Sequence, residues 1–314
     1  MRNVTLRQLR SVLAVARRGS VAHAAREMFL TGPAVTLQIR QLEEEVGLTL
    51  FDRTSGGMRP TEAGRVVIET ATQVEGLLLA CADRLAAFKG LEAGHVAIGV
   101  VSTAKYFAPR AIAAFARNHP GIEISLFVGN RQEILEALKE QRVDIVVMGR
   151  PPSGLDVAAT ALGDHPLVVI APPDHPLAAR RAIPRDDLRG ESFLLREPGS
   201  GTRTSFESFL DEGAPGLAAT LRFSEMGSNE TIKQAVMAGL GIAFLSAHTI
   251  EAEVESGRLA VLDVQGTPVV RKWFAIRRAD RTSSPSTLAF ERFLTDHAAD
   301  LLPSMDRVLP RTPP

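Results

Sequence analysis

The 314 residues contain only one cysteine, one tryptophan and one tyrosine. The lone cysteine, Cys81, excludes an internal disulfide framework and any metal site made of four cysteine ligands. No apolar run approaches the roughly 20 residues of a transmembrane helix, and the start of the chain alternates charged with apolar side chains instead of forming a signal peptide. We therefore predict a cytoplasmic protein with no membrane partner.

The sequence also lacks the patterns of a catalytic or metal site. No serine lies in the Gly-x-Ser-x-Gly pattern of a nucleophile elbow. No two histidines have the spacing of metal ligands on a helix. They are interpreted as structural or solvated: His23, His95, His119, His165, His175, His248 and His297. We expect no enzymatic activity, no cofactor and no metal.

The charge of the chain is balanced overall but not along its length. Basic and acidic residues number 36 each, whereas residues 1–40 carry a single acid, Glu27. The arginines in the same segment are Arg2, Arg7, Arg10, Arg17, Arg18, Arg26 and Arg40. Such an excess favours binding to nucleic acid, because contacts to phosphate displace counterions. By itself it is equally compatible with a solvated helix surface.

Three short helices are predicted in the first fifty residues. Apolar residues at steps of three and four predict a helix over residues 5–18, which Gly19 ends. Ser20 is the expected N-cap of a second helix, and Pro33 opens a third. Two short helices joined by a tight turn indicate a helix-turn-helix. A three-helix packing module without a ligand is the alternative.

The outer face of the third helix supplies the predicted DNA contacts. Threonine can bond a base edge or phosphate, leucine can pack on a thymine methyl group, and arginine can reach a phosphate. The positions concerned are Pro33, Ala34, Thr36, Leu37 and Arg40. Residues 48–51 and 58–60, joined by a loop at 52–57, predict a two-stranded wing that carries Arg53 and Arg59.

A long helix is predicted over residues 61–89, with Thr61 as its N-cap. Apolar residues at alternating steps of four and three form a heptad seam, which predicts a partner helix and hence a symmetric homodimer. The seam comprises Val67, Ala71, Val74, Leu78, Cys81, Leu85 and Phe88. A helix packed on its own domain is the alternative, and residues 90–94 are the expected hinge.

The remainder predicts an α/β domain with two lobes. Strands over residues 95–100, 122–128 and 144–148 alternate with helices over 106–118 and 132–141, which indicates a parallel sheet. A second lobe is expected from residue 164, with strands at 167–171, 192–195 and 220–225. A strand at 269–277 returns to the first lobe, and a helix over 285–302 closes it. Two lobes joined by two crossovers form a cleft, as in periplasmic solute-binding proteins.

Polar residues stand where the predicted strands end and helices begin. Helix amino termini carry free N–H groups and partial positive charge, so several that face one cleft favour an anion. The predicted effector-binding residues are Ser102, Thr103, Lys105, Asn130, Arg150, Arg196, Ser200, Thr202, Arg203 and Asn229. The expected ligand is a small acidic or phosphorylated metabolite.

The amino-terminal motifs resemble those of the LysR-type transcriptional regulators in order and spacing. The segments that carry the resemblance are 6–9, 19–25, 30–36, 41–43, 50–53 and 61–64. It implies DNA contacts at Thr31, Pro33, Thr36, Leu37 and Arg53. Gly32 departs from the glutamine usual before the proline, and Leu37 from a frequently basic residue. These departures concern base preference.

The second lobe resembles the branch of that family that controls Calvin-cycle (RuBisCO) operons. Segments 148–152, 195–203, 225–242 and 257–263 carry this likeness. It implies regulation of carbon fixation by sugar phosphates, phosphoenolpyruvate, nucleotides or NADPH. It also implies double-stranded promoter DNA, RNA polymerase and further copies of the chain, in a homodimer or homotetramer, as partners.

The predicted architecture is an all-α winged helix-turn-helix at 1–60, a dimerisation helix at 61–90, an α/β effector domain at 91–302 and a tail at 303–314. Lobe I comprises 91–163 and 269–302, and lobe II comprises 164–268. A LysR-type regulator of another pathway is one alternative. A solute-binding sensor or a phosphosugar-handling enzyme without DNA binding is another. The effector, the operator, and activation against repression stay open.

Overall fold

The computed structural model describes residues 3–54, 56–88, 93–213, 216–305 and 308. They form two compact units, one of residues 1–82 with 140–142 and one of the remaining residues from 83 onwards. The predicted tail at 303–314 and hinge at 90–94 fall largely outside the described residues. In the described part of the chain, no helix is long and apolar enough to cross a membrane.

The amino-terminal unit begins with the three predicted helices: α1 (Leu6–Arg18), α2 (Val21–Glu27) and α3 (Gly32–Val46). Thr5 caps α1 through a reciprocal pair of hydrogen bonds with Gln8, and Gly19 ends it in the left-handed conformation at φ 61°. The Thr31 hydroxyl accepts a hydrogen bond from Ala34 N–H at the start of α3. A shared apolar core holds the three helices together.

The wing consists of β1 (Phe51–Thr54) and β2 (Gly57–Pro60), which pair antiparallel. The first strand therefore starts later than the predicted 48–51, and Asp52–Thr54 belong to it and not to the connecting loop. The Met58 N–H donates to the Gly19 carbonyl at 2.8 Å, so the wing is attached to the end of α1. This contact needs a residue without a side chain, since a Cβ on Gly57 would approach the same oxygen to 2.4 Å.

Helix α4 (Glu62–Phe88) follows, capped as predicted by Thr61, whose hydroxyl accepts from Gly64 N–H at 3.0 Å. The helix begins very close to the residue that precedes β1. A Cβ on Gly64 would lie 2.0 Å from the Leu50 carbonyl oxygen. Glycine at this position is therefore required by a backbone contact.

The predicted seam of α4 divides into two parts. Val67 and Ala71 are buried in the core of their own unit, and Val74 is packed against it. At these three positions the helix packs on its own unit, which was the alternative to a partner helix. Leu78 and Leu85 are 41% and 57% exposed, and Cys81 is exposed as well. The side chain of Phe88 lies outside the described residues.

A mixed sheet runs through the second unit, and nine strands of it lie in the described residues. Its order is β4-β3-β5-β11-β6-β9-β7-β8, with β10 paired to β6. The strands are β3 (Gly94–Val101), β4 (Ile122–Gly129), β5 (Ile145–Met148), β6 (Val157–Ala171), β7 (Ser192–Arg196), β8 (Arg222–Met226), β9 (Ile242–Ser246), β10 (Ala260–Leu262) and β11 (Val269–Arg278). The helices are α5 (Ala108–Asn118), α6 (Arg131–Lys139), α7 (Gly201–Gly213), α8 (Asn229–Met237), α9 (Glu251–Glu255), α10 (Pro285–Asp296) and α11 (Ala298–Leu301).

Two lobes share this sheet. Parallel strands β3, β4 and β5 form lobe I with α5, α6 and α10, around a core that includes Phe115 and Phe290. Parallel strands β7, β8 and β9 form lobe II, with one apolar layer on each face. The antiparallel pair β6 and β11 passes through both lobes. The two predicted crossovers are therefore these two strands.

Several boundaries differ from the predictions. Strand β6 starts at Val157 and not at residue 167. Its residues from Val157 to Leu167 pair with β11 and therefore belong to the strand. Strands β9 and β10 were not predicted. Helix α5 starts at Ala108 after a separate turn of 3₁₀ helix (Ala104–Tyr106), and the closing helix is interrupted at His297.

Candidate functional site

The outer face of α3 presents the residues predicted to contact DNA. Leu37 is 56% exposed, and Thr31, Pro33 and Arg40 are exposed. Ala34 and Thr36 are half-buried, and the Thr36 hydroxyl donates to the Gly32 carbonyl at 3.0 Å. The Thr36 hydroxyl oxygen still has lone pairs, so it can accept a hydrogen bond from a DNA base. The face therefore combines one apolar, one hydroxyl and one cationic group at the spacing of a helix surface.

The arginines of this unit fall into two groups. Arg17 and Arg18 pair with Glu27 at 2.8 and 2.5 Å, and Arg10 pairs with Glu75 at 3.1 Å. Hydrogen bonding from Arg18 is the main cause of a lowered pKa of Glu27, despite a smaller opposing effect of burial. These three arginines are therefore structural as well as basic. The others include Arg40 on α3 and, on the wing, Arg53 and Arg59, which are all exposed and suit contacts to phosphate.

A cavity that is partly open to solvent lies between the two lobes of the second unit. The carboxyl ends of β3, β5 and β7 and the amino termini of α6 and α7 surround it, and β6 and β11 form its floor. Seven of the ten predicted effector-binding residues line it: Ser102, Thr103, Asn130, Arg150, Arg196, Ser200 and Thr202. The topology therefore brings them together at the strand ends.

Two of the predicted cations do not line the cavity. Lys105 forms an ion pair with Glu230 at 2.9 Å. Arg203 contacts Glu207 at 3.0 Å and Glu225 at 2.7 Å, and these two bonds raise its pKa. Both predictions differ from the structure, because carboxylates on neighbouring elements already pair with these side chains.

Arg196 lines the cavity but has its own counterion. Its guanidinium binds both carboxylate oxygens of Glu197 at 2.7 Å, and it donates to the Asn229 side-chain oxygen at 2.7 Å. It also donates to the Ser102 hydroxyl of lobe I at 3.1 Å. Arg196 therefore links the two lobes, and Asn229, fully buried and outside the lining, positions it.

Three other arginines supply the net positive charge of the cavity. Arg131 and Arg271, which the sequence reasoning missed, line it together with Arg150. Arg131 donates to the Arg150 carbonyl at 2.6 Å, and among the described residues none of the three forms an ion pair with a carboxylate. Burial lowers the pKa of Arg131 and of Arg271, and repulsion from Arg150 lowers both further, while the charge of Glu212 opposes part of the shift at Arg271. Three like charges that face one cavity favour an anionic occupant.

The amino terminus of α7 faces the same space. Ser200 and Thr202 are buried at its first turn, where backbone N–H groups have no partner within the helix. The preceding loop turns at Gly199 with φ 85°, and the Gly199 carbonyl accepts from Gln132 N–H of lobe I at 3.3 Å. Lobe II thus contributes hydroxyl and amide donors, and lobe I with the floor contributes guanidinium groups.

Two family profiles match the chain. Residues 6–65 match the profile described as bacterial regulatory helix-turn-helix protein, lysR family, and residues 89–299 match the LysR substrate binding domain. The chain belongs to the LysR family. It is a DNA-binding transcription regulator with an amino-terminal winged helix-turn-helix and a two-lobed α/β effector domain, as the sequence predicted.

Relatives of this LysR regulator match over nearly their whole length. It is 53% identical over 310 residues to the HTH-type transcriptional regulator CbbR of Rhizobium meliloti (strain 1021), covering 99% of this chain and 98% of the relative. It is 45% identical over 298 residues to the RuBisCO operon transcriptional regulator of Allochromatium vinosum, covering 95% and 97%. These relatives are regulators and not enzymes.

The effector domain is also similar to a solved structure. The CcmR regulatory domain of Synechocystis PCC6803 in complex with 2-PG superposes with a TM-score of 0.62 at 36% identity. The match covers 66% of this chain and 98% of that domain. The two-lobed fold described above is therefore shared with a regulatory domain that binds a ligand.

Proposed function

We propose that this LysR regulator controls carbon-fixation genes in response to a phosphorylated metabolite bound between the lobes of its effector domain. The similarity to a RuBisCO operon regulator supports the choice of genes. The similarity to a domain that holds 2-PG supports the choice of a phosphorylated ligand. The observation that carries the proposal is the cluster of Arg131, Arg150 and Arg271 in one cavity, without carboxylate partners among the described residues.

A phosphate ester fits the charges of this cavity. Guanidinium groups form short, charge-assisted hydrogen bonds with phosphate oxygens, often two at a time. The amino terminus of α7 adds N–H groups and the hydroxyls of Ser200 and Thr202 from the opposite lobe. A ligand that contacts both sides stabilises the closed arrangement of the lobes. Its effect on DNA binding then depends only on different affinities for two states of the protein.

Promoter DNA is the proposed partner of the α3 face and of the wing. Thr31, Pro33, Ala34, Thr36, Leu37 and Arg40 are the proposed contacts on α3, with Arg53 on β1. The exposed part of α4, with Leu78 and Leu85, is the proposed dimer contact. A homodimer or homotetramer presents two or more recognition helices to DNA with two-fold symmetry. The proposed location is the cytoplasm, and RNA polymerase is a further proposed partner.

A gel-shift titration with a RuBisCO operon promoter tests the DNA part. Thr36→Ala and Arg53→Ala should each weaken binding by about tenfold, and Arg53→Ala should also lower the dependence of affinity on salt, since one phosphate contact is lost. Arg117→Ala, an exposed arginine on α5, is the matched control. Equal affinity for this promoter and for unrelated DNA would contradict the assignment to carbon fixation and favour another pathway.

Thermal shift with phosphorylated metabolites tests the effector part. Arg150→Ala and Arg271→Ala should reduce the ligand-induced shift, because each removes an unpaired cation from the cavity. Arg203→Ala should retain it, because Arg203 lies outside the cavity and pairs with two glutamates. A full response in both cavity variants would overturn the proposed site.

A further inference from the structure

His165 is a buried polar side chain in the floor of the cavity. His165 is 6% exposed and lines the cavity. Both of its ring nitrogens are buried and have no hydrogen-bond partner. A buried polar atom without a partner costs about 1–3 kcal/mol, so such atoms are rare unless something absent from the folded chain completes them. The mechanism proposed above gives this residue no part.

The position of the ring is fixed by its neighbours. His165 on β6 lies directly across from Arg271 on β11, so both side chains are on the same face of the sheet. The imidazole stacks on the indole of Trp273 with ring centroids 3.8 Å apart and planes inclined by 16°. Gly149 lies close to the ring, since a Cβ there would come within 3.0 Å of Nδ1. The stacking and the strand register therefore place the imidazole on the face of the sheet that carries Arg271.

The ring is neutral near physiological pH. Burial, followed by the charges of His248 and Arg271, lowers the pKa of His165 well below its ordinary value. The titratable and charged groups near the ring are His248, with ring centroids 6.1 Å away, Arg271 directly opposite on β11, and Arg131 and Arg150, which line the same cavity. A neutral imidazole offers one N–H donor and one acceptor nitrogen. It therefore suits an uncharged group of the ligand, while the arginines suit the charged group.

We propose that His165 determines specificity by hydrogen bonding to a hydroxyl group of the ligand whose phosphate is held by Arg131, Arg150 and Arg271. The inference deepens the proposed function and rests on it. It narrows the ligand to phosphate esters that retain a free hydroxyl group, such as phosphoglycerate and sugar phosphates. Esters without a hydroxyl near the phosphate leave the imidazole unpaired and bind more weakly, because a site built for a hydroxyl rejects an analogue that lacks it.

The test compares two ligands that differ in one hydroxyl group. Full-length protein is titrated with phosphoglycerate and with phosphooxypropionate, its deoxy analogue, and with inorganic phosphate. Trp273, the only tryptophan, stacks on His165, so its emission reports the occupied cavity. His165→Phe keeps a stacking ring without nitrogens, and His165→Gln keeps hydrogen bonding. His23→Gln, on the exposed surface of α2, is the matched control.

Wild type and His23→Gln should bind phosphoglycerate about tenfold or more tightly than the deoxy analogue. His165→Phe should bring the two ligands within about twofold by weakening phosphoglycerate alone, and His165→Gln should restore part of the preference. If His165→Phe lost affinity equally for both ligands, or lost none, the inference would be overturned. The Arg150→Ala variant would still test the anion site separately. No binding of any of the three anions by wild type overturns the inference and the proposed ligand class together. Thermal unfolding of each variant shows that it is folded.

Discussion

Mild acid should lower the free energy of unfolding of the effector domain, because a buried histidine must become charged. His248 is 4% exposed, and its Nδ1 accepts a hydrogen bond from the Trp273 indole N–H at 3.0 Å. Burial lowers the pKa of His248 from 6.5 to about 4, and Asp164 opposes this only in part. The folded protein therefore binds this proton less readily than the unfolded chain. Stability is complete above pH 6.5 and is lost as the pH falls towards about 4.

The size of the effect follows from the two pKa values. With 6.5 for the unfolded chain and about 4 for the folded one, lowering the pH from about 7.5 to about 5.5 removes about 1.3 kcal/mol from the free energy of unfolding. His165 has its pKa lowered in the same direction and adds to the loss. The lowered pKa of Glu230, about 2, acts only below about pH 4.5, so its contribution falls outside this window.

Urea unfolding followed by Trp273 emission measures the loss in the domain concerned, because the only tryptophan lies there. His248→Gln retains an acceptor for the indole N–H and removes the titrating group, so its loss between about pH 7.5 and 5.5 should be smaller than that of wild type by about 1.3 kcal/mol. His23→Gln, an exposed histidine, should match wild type. If His248→Gln lost as much stability as wild type, the burial argument would be refuted.

Three further predictions concern the amino-terminal unit and helix α4. Gly64→Ala should destabilise it by about 2–3 kcal/mol in thermal unfolding, because a Cβ there would lie 2.0 Å from the Leu50 carbonyl oxygen. Leu85→Lys should weaken self-association at least about tenfold in sedimentation, because it places a charge in the proposed dimer contact, where Leu85 is 57% exposed in the single chain. Phe29→Asn should stabilise the unit by about 0.5–1 kcal/mol, because Phe29 has φ 55° and is 95% exposed, and asparagine tolerates that conformation better.

Each of these changes has a control on the same helix or in the same unit. Gly76→Ala, on the same helix as Gly64 but with no atom within 4 Å of its Cβ, should be neutral or stabilising. Glu69→Lys, exposed on α4, should leave the oligomer intact, and Leu48→Asn, exposed at an ordinary φ, should not stabilise. Equal effects of a variant and its control would contradict the reason given for it.

The sequence predicted the helices and the strand ends better than it predicted the charges in the cavity. Periodicity and caps located α1 to α4, since local side chains determine them. Arg196 was expected to bind an anion, but Glu197 beside it forms the ion pair. Arg271 was missed, although it lies two residues before Trp273 in a predicted strand. Side chains two residues apart in a strand face the same side of the sheet. Which arginine retains a free charge depends on carboxylates from other elements, and no local pattern contains that information.

The unexpected length of β6 constrains how this regulator can respond to a ligand. Fifteen residues, Val157–Ala171, run without a break from one lobe to the other and pair with β11 over most of that path. A flexible tether would permit a wide swing, whereas a hydrogen-bonded ribbon permits mainly twisting. The register shift between Trp273 and Phe274 interrupts the regular pairing of that ribbon, and Trp273 stacks on His165. A signal from the bound metabolite is therefore expected to travel as a rotation about this ribbon.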